Sequence, residues 1–385
     1  MQNWQQGGFG IYVHWPFCAS KCPYCDFNSH VRAKVDQTAW NDVLLFEINR
    51  LADDTPDRLV SSVFFGGGTP SLMPPETVAN IIDTIRTRWT PANNLEITLE
   101  ANPGSVEAGR FAAYAEAGVT RVSLGVQALN DADLRALGRL HSAADARRAF
   151  DIARKAFSAV SFDLIYARQC QTLAQWRAEL TEAVSMAVDH LSLYQLTIEP
   201  DTAFGDRFAA GKLRGLPEDT LSADMYELTQ SVCDAHGLPA YEVSNHARAG
   251  AECAHNLIYW RMGDYAGVGP GAHGRLTLNG TRFATDTHKH PETWLKAVQE
   301  GGSGERPRAV LSRADQANEY LMMSLRLSEG TSVSRFEALA GHGLDPASVT
   351  HLTDLGMIEV ENDILRTTLQ GRLLLNAVIS ELLAD

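Results

Sequence analysis

From the N-terminus to about residue 245, short runs rich in Val, Ile, Phe and Tyr alternate with longer stretches whose apolar residues recur at helical spacing. That alternation predicts repeated βα units built around a parallel sheet. The expected strands are Gly10–His14, Ser62–Phe65, Leu95–Leu99, Arg121–Gly125, Ser161–Tyr166 and His190–Leu196, with a further one near Leu238–Val243. Between them, Thr38–Ala52, Pro75–Trp89, Ala144–Phe157, Leu173–Ala187 and Pro217–Ala235 have helical spacing, and Pro75 with Glu76 and Pro217 with Glu218 suit a first turn. Six or seven such units give an α/β fold class, a partial TIM-type (β/α)6 barrel. From His246 to about Arg308 the chain is rich in Gly, His, Asn and aromatics without clear period, which predicts functional loop. Beyond it, Asp315–Leu327, Val333–Ala340, Pro346–Leu355 and Gln370–Leu383 are expected helices and Ile358–Leu365 a hairpin. They would form a small α-rich, winged-helix-like domain, so the expected division is 1–245, 246–308 and 309–385.

Charge narrows the partners. With 33 Lys+Arg against 47 Asp+Glu, the formal charge of -14 disfavours phosphate backbones, and no nucleic-acid role is expected. At 45% hydrophobic and 21% charged, with no run of roughly 18 apolar residues, the chain predicts a globular protein without a transmembrane segment. The opening residues have no basic, apolar and small-residue succession of a secretory signal. Of 6 Cys, three crowd into Cys18, Cys22 and Cys25, which fits a reducing cytoplasm and a metal or redox site.

The run Cys18-Ala-Ser-Lys-Cys22-Pro-Tyr-Cys25 directly follows the first expected strand. Three thiolates in one loop can each hold one iron of a [4Fe–4S] cube, leaving the last iron open to a ligand. Flanking Phe17, Tyr24 and Phe27 would shield it. A zinc site completed by His14 or His30 is the alternative, for a zinc-stabilised binding protein. Phe65-Gly66-Gly67-Gly68-Thr69-Pro70 closes the second strand, where missing side chains let backbone approach a ligand. Glu100 and Asn102 follow the third strand, Gln127 the fourth, Asp163 lies in the fifth and Gln195 ends the sixth. Carboxyl ends of barrel strands share one face, so these groups should converge with the cysteine loop.

With these residues in place the sequence resembles the radical S-adenosylmethionine (SAM) superfamily, and within it the oxygen-independent coproporphyrinogen III oxidase-like family, over nearly its whole length. The resemblance implies a [4Fe–4S] cluster on Cys18, Cys22 and Cys25, with Tyr12 and Tyr24 bordering SAM. Gly67, Gly68 and Thr69 would meet the amino-acid end of SAM, while Glu100, Gln127, Arg139, Asp163 and Gln195 would complete its pocket. SAM would chelate the open iron, and one electron from the cluster would break a sulfur–carbon bond.

Two branches of that family compete. In the oxidase branch, which decarboxylates propionate side chains to make protoporphyrinogen IX, a further Cys follows the run one residue later, where this chain has Phe27, and a long extension precedes the cluster, where this chain has 17 residues before Cys18. Cys25-Asp-Phe-Asn-Ser-His30 and His255-Asn-Leu-Ile-Tyr259-Trp260 resemble the HemW-type haem-chaperone branch instead. By that resemblance the chain would bind haem, with His255 a candidate axial ligand and Tyr259 and Trp260 as flat apolar area. It would pass haem to haem-accepting respiratory proteins, need an electron donor, and could form a homodimer. Three departures stand out. Gln169 and Cys170 replace the usual Pro and Gly after Tyr166, His246 stands where Phe is usual, and Cys253 lies two residues before His255; His246 or Cys253 could add a haem ligand. Gly267-Val-Gly269-Pro-Gly271-Ala-His-Gly274 imitates a dinucleotide fingerprint, but without the flanking strand and helix it reads as loop backbone approaching the barrel mouth.

Overall fold

The structure, a computed structural model, describes residues 3–187 and 189–383; Val188 and the ends of the expected 1–245 and 309–385 segments lie outside the described residues. β1 (Phe9–Trp15) is followed by a short parallel pair, β2 (Phe17–Cys18) and β3 (His30–Val31), that ties off the loop between them. Then β4 (Leu59–Gly67), β5 (Thr90–Ala101), β6 (Arg121–Gln127), β7 (Ala159–Tyr166) and β8 (His190–Gln195) stand beside β1 in chain order, all parallel. The helices predicted between them are present to within a few residues, as Gln37–Asp54, Pro75–Arg88, Ala143–Ala156, Leu173–Met186 and Asp219–Ala235. Capping boxes at Ser142 with Asp145 and at Thr172 with Gln175 start two of them, each satisfying otherwise unpaired backbone N–H groups.

The strands bury one face under helices and turn a polar face inward. Ile97, Leu99, Val122, Leu124, Val160 and Phe162 belong to the buried apolar core. The positions alternating with them are Thr98, Glu100, Ser123, Ser161 and Asp163, aligned so that Glu100 pairs with Ser123 and Asp163 with Ser192. A barrel interior filled as a core would carry branched apolar side chains at these positions. Here it leaves room for polar ligands.

Residues 246–308 are not loop. β9 (Asn245–Ala247) pairs antiparallel with β8, and no strand forms at Leu238–Val243. A short helix, Ala254–Trp260, leads to β10 (Asp264–Val268), which adds a parallel strand on the far side of β1. β11 (His273–Leu278), β12 (Thr281–Asp286) and β13 (Ala309–Val310) then continue an 11-stranded sheet antiparallel. These strands are two to six residues long, too short for a period to show. Asp264, wholly buried, holds this addition in place: its carboxylate accepts from Arg58 at 2.7 Å and Arg282 at 2.6 Å.

The C-terminal part has its own apolar cluster, including Leu321, Leu325, Phe336, Leu352, Leu365 and Val378. It comprises helices Arg313–Ser324, Val333–Ala340 and Pro346–Asp354, and an antiparallel sheet of β14 (Thr331–Ser332), β16 (Ile364–Thr367) and β15 (Ile358–Glu361). The single helix expected over Gln370–Leu383 is two, Leu369–Leu373 and Leu375–Leu382, broken at Leu374, which is left half exposed.

Removing the Asp264 carboxylate would strand two buried guanidinium groups. Asp264→Ala is expected to cost about 3–5 kcal/mol, read as a lower thermal midpoint; an unchanged midpoint would show that this pair is not what holds β10.

Candidate metal and cofactor site

The cysteine loop is fixed to the barrel by backbone bonds. Gly68 N–H donates to Trp15 O at 2.7 Å, Thr69 N–H to Phe17 O at 2.9 Å, and His30 N–H to Pro16 O at 2.7 Å. Gly67 adopts φ +109, and a Cβ on Gly68 would stand 2.7 Å from Phe17 O, so the glycine run is needed for the approach. From the other side Asn28 donates to Pro270 O at 2.9 Å, and a Cβ on Gly271 would meet its amide nitrogen at 2.4 Å. Gly269 and Gly271 thus let the turn between β10 and β11 approach β1 and the cysteine loop, whereas Gly267 and Gly274 lie in strands and not in loop.

One cavity of about 140 Å³ gathers most of the predicted set. Cys18, Cys22, Cys25 and Tyr24 line it with Gly67, Gly68 and Thr69, and Glu100, Asn102, Gln127, Arg139 and Asp163 complete its wall. Arg139 ties the strands to the loop: it donates to Gly125 O at 2.8 Å and to Cys22 Sγ at 3.2 Å. Thr69 donates to Cys18 Sγ at 3.4 Å. Ser123 and Gly125 also line the cavity, and Ser123 donates to Asp163 at 3.2 Å. The alternation in Arg121–Gln127 places Ser123 on the same face as Gln127, a signal present in the sequence but not used.

The three thiols are free and half-buried, and burial pushes Cys18 and Cys25 above the ordinary thiol pKa. Metal coordination reverses that preference by deprotonating the thiol outright. Among the described residues no three His, Cys, Asp or Glu side chains converge tightly enough to share one ion. Separate thiolates beside a cationic Arg139 suit the corners of a cluster, whose irons each take one sulfur. The zinc alternative lacks its fourth ligand at His14, whose two ring nitrogens lie 3.0 Å from Tyr12 OH and 2.9 Å from Asn28 O. Burial holds His14 near pKa about 4.

Opposite the cysteines, Glu100 is pushed up to about 8, by burial first and then by Asp163, and burial raises Asp163 to about 6. Two recessed carboxyls at this depth would favour a ligand bringing positive charge.

Three expected residues lie elsewhere. Tyr12 does not line the cavity; its ring packs among His14, Phe64 and His255. Gln195 lines a second, larger cavity of about 820 Å³ that adjoins the first along Tyr24, Cys25, Phe27, Glu100, Gln127 and Asp163. His255 lines neither cavity. It is 1% exposed, stacked 5.1 Å from Phe64, with its nitrogens 2.6 Å from Ser62 Oγ and 2.8 Å from Tyr259 OH. Burial lowers its pKa to about 3. Both ring nitrogens thus have hydrogen-bond partners within the barrel. Cys253 is likewise buried, donating to Glu96 at 3.4 Å, and His246 is enclosed and lines neither cavity. Gln169 and Cys170 also line neither; Gln169 donates to Arg214 O at 2.6 Å and Cys170 N–H to Gly215 O at 2.6 Å.

Residues 12–172 match the family model for the Radical SAM superfamily, and residues 311–374 that for the HemN C-terminal domain. The chain is 39% identical to the mitochondrial radical S-adenosyl methionine domain-containing protein 1 of Bos taurus, over 97% of this chain and 87% of that protein. It is 37% identical to the heme chaperone HemW of Haemophilus influenzae, over 97% of this chain and 98% of that protein. Among solved structures, coproporphyrinogen III oxidase (HemN) from Escherichia coli aligns with a TM-score of 0.81 at 23% identity, covering 97% of this chain and 90% of that one, a likeness of fold. No helix among the described residues is long and apolar enough to cross a membrane.

The Glu100 carboxyl gives a pH test. A carboxyl whose folded pKa is raised to about 8 penalises the fold only where it must ionise, so the penalty is absent at acid pH and grows as pH rises from its unfolded value towards 8. In the cluster-free protein, Glu100→Gln should therefore gain stability over the parent with rising pH, on the order of 1–3 kcal/mol by pH 8. Parallel pH–stability curves would refute the raised pKa.

Proposed function

On the premise that this chain belongs to the HemW-type branch of the radical SAM superfamily, we propose that it is a haem chaperone carrying a [4Fe–4S] cluster and SAM. The observation that carries the reading is the small cavity in which three cysteines, a glycine-lined strand end and two recessed carboxyls meet. Cys18, Cys22 and Cys25 would hold the cluster, and Arg139 beside Cys22 would offset its negative charge. When bound, the cluster would supply the electron for breaking a sulfur–carbon bond of SAM. Gly67 and Gly68 leave backbone open to the amino-acid end of SAM, and Glu100 and Asp163 would balance its positive charge. Phe27, in place of the oxidase's additional Cys, supports chaperone over oxidase. We further propose a reducing cytoplasmic setting, an electron donor and haem-accepting respiratory partners.

Anaerobic reconstitution should give about four irons and four sulfides per chain, with Cys22→Ser losing most of both. Offered haem and coproporphyrinogen III in parallel with SAM and reductant, the loaded protein should take up haem without decarboxylation; protoporphyrinogen IX would overturn the chaperone reading. His255→Ala should cost about 1–3 kcal/mol of stability for its lost buried hydrogen bonds, read as a lower thermal midpoint, and leave the Soret band of bound haem in place. A lost band in a folded variant would return His255 to the haem site.

A further inference from the structure

The second cavity, about 820 Å³, lies between the carboxyl ends of the barrel strands and the last two helices. Its volume is within the usual range for an organic cofactor. Its walls combine apolar side chains with charged ones. Phe27, Tyr194 and Leu374, exposed by 58%, 40% and 52%, are three of the large exposed apolar side chains of the described residues, and all three face this space. The helix break at Leu374 is what brings the third of them there.

Charge around the cavity is divided. Glu100 and Asp163 stand where it joins the small cavity, and Asp26 and Glu199 also line its barrel side, while the C-terminal part contributes two cations, Arg326 and Arg372. Among the described residues neither arginine has a carboxylate within 4.0 Å, although most guanidinium groups bordering other acidic side chains are paired. Glu242, an acidic neighbour of Arg326 outside the cavity lining, accepts from Ser244 N–H at 2.9 Å and Asn245 at 2.6 Å. Arg326 instead lies over an indole: its guanidinium carbon is 5.6 Å from the Trp260 ring centroid.

We infer that this cavity is the haem site, with Arg326 and Arg372 binding the propionate carboxylates of the macrocycle. The inference rests on the haem-chaperone reading and gives that reading a place other than His255. A flat apolar ligand covers Phe27, Tyr194 and Leu374, while its acidic edge is drawn to Arg326 and Arg372, the cations of the cavity lining, which fixes its orientation. Trp260, the last residue of the His255–Trp260 element, acts as a positioning residue beneath Arg326.

The test is a Soret titration of the cluster-loaded full chain with haem and with haem dimethyl ester, in the parent and in the double variant Arg326→Ala with Arg372→Ala. The double variant should bind haem at least about tenfold more weakly, and the ester should bind the parent at least about tenfold more weakly than haem. Arg326→Lys with Arg372→Lys should restore part of the affinity. If the double variant does not fold, the ester comparison in the parent decides. Equal affinity for haem in a folded double variant, or for haem and ester in the parent, overturns the arginine site and leaves the chaperone reading standing. A parent that binds no haem overturns both.

Discussion

The seam between the end of β4 and the cysteine loop governs the whole site. Gly68 and Thr69 donate to Trp15 and Phe17 across a gap that no side chain could share, since a Cβ at Gly68 would touch Phe17 O at 2.7 Å. The same two strands pair in register up to Trp15 and Gly67, so the loop leaves the sheet at a fixed height. Any residue larger than glycine would push the loop outward and move Cys18 away from Thr69. The geometry of the three thiols is therefore a property of backbone packing, set before any metal arrives.

A second constraint is the polar lining of a parallel sheet. The helices cover only the outer face, so Glu100, Ser123 and Asp163 face the interior, where Ser123 donates to Asp163. Desolvation raises both carboxyls, and their proximity separates them further. In a fold kept for stability alone such a pair would be a defect. It is tolerated because the strand backbones are held by the apolar outer face, which lets the site store unfavourable electrostatics that a cationic ligand relieves.

The barrel was legible because its outer residues recur at helical and strand periods, and the loop cysteines and glycine run are local in sequence. The positions Glu100, Gln127 and Asp163 were legible through topology, since each ends or lines a strand whose place in the sheet follows from chain order. What escaped reading depended on contacts remote in sequence. The strands of 246–308 are ordered by pairing with β1 and by Asp264 reaching Arg58 and Arg282, none of which leaves a period. Arg326 sits in the turn after helix Arg313–Ser324 and Arg372 in helix Leu369–Leu373, and only the docking of the C-terminal part onto the barrel mouth makes them neighbours of one cavity. Tyr12 and Gln195 show the complementary error: strand position was right, but the side chain of one turns to an aromatic stack and that of the other to the larger space.

His255 illustrates why a motif's residue types do not by themselves name their chemistry. An imidazole beside Tyr and Trp suits a macrocycle, yet it equally suits the inside of a barrel, where each ring nitrogen needs a partner and each face needs a ring. Ser62 and Tyr259 supply the partners, Phe64 and Tyr12 the faces. Gly10 makes the space, since a Cβ there would stand 3.1 Å from the imidazole. Tyr12 then meets His14, and His14 meets Asn28 O of the cysteine loop, so one continuous chain of contacts links helix Ala254–Trp260 to the loop. A His-to-Tyr spacing of four residues places both side chains on one helical face, which is what plugging a barrel requires. The element is thereby bound to the site through structure, whatever ligand the mouth receives.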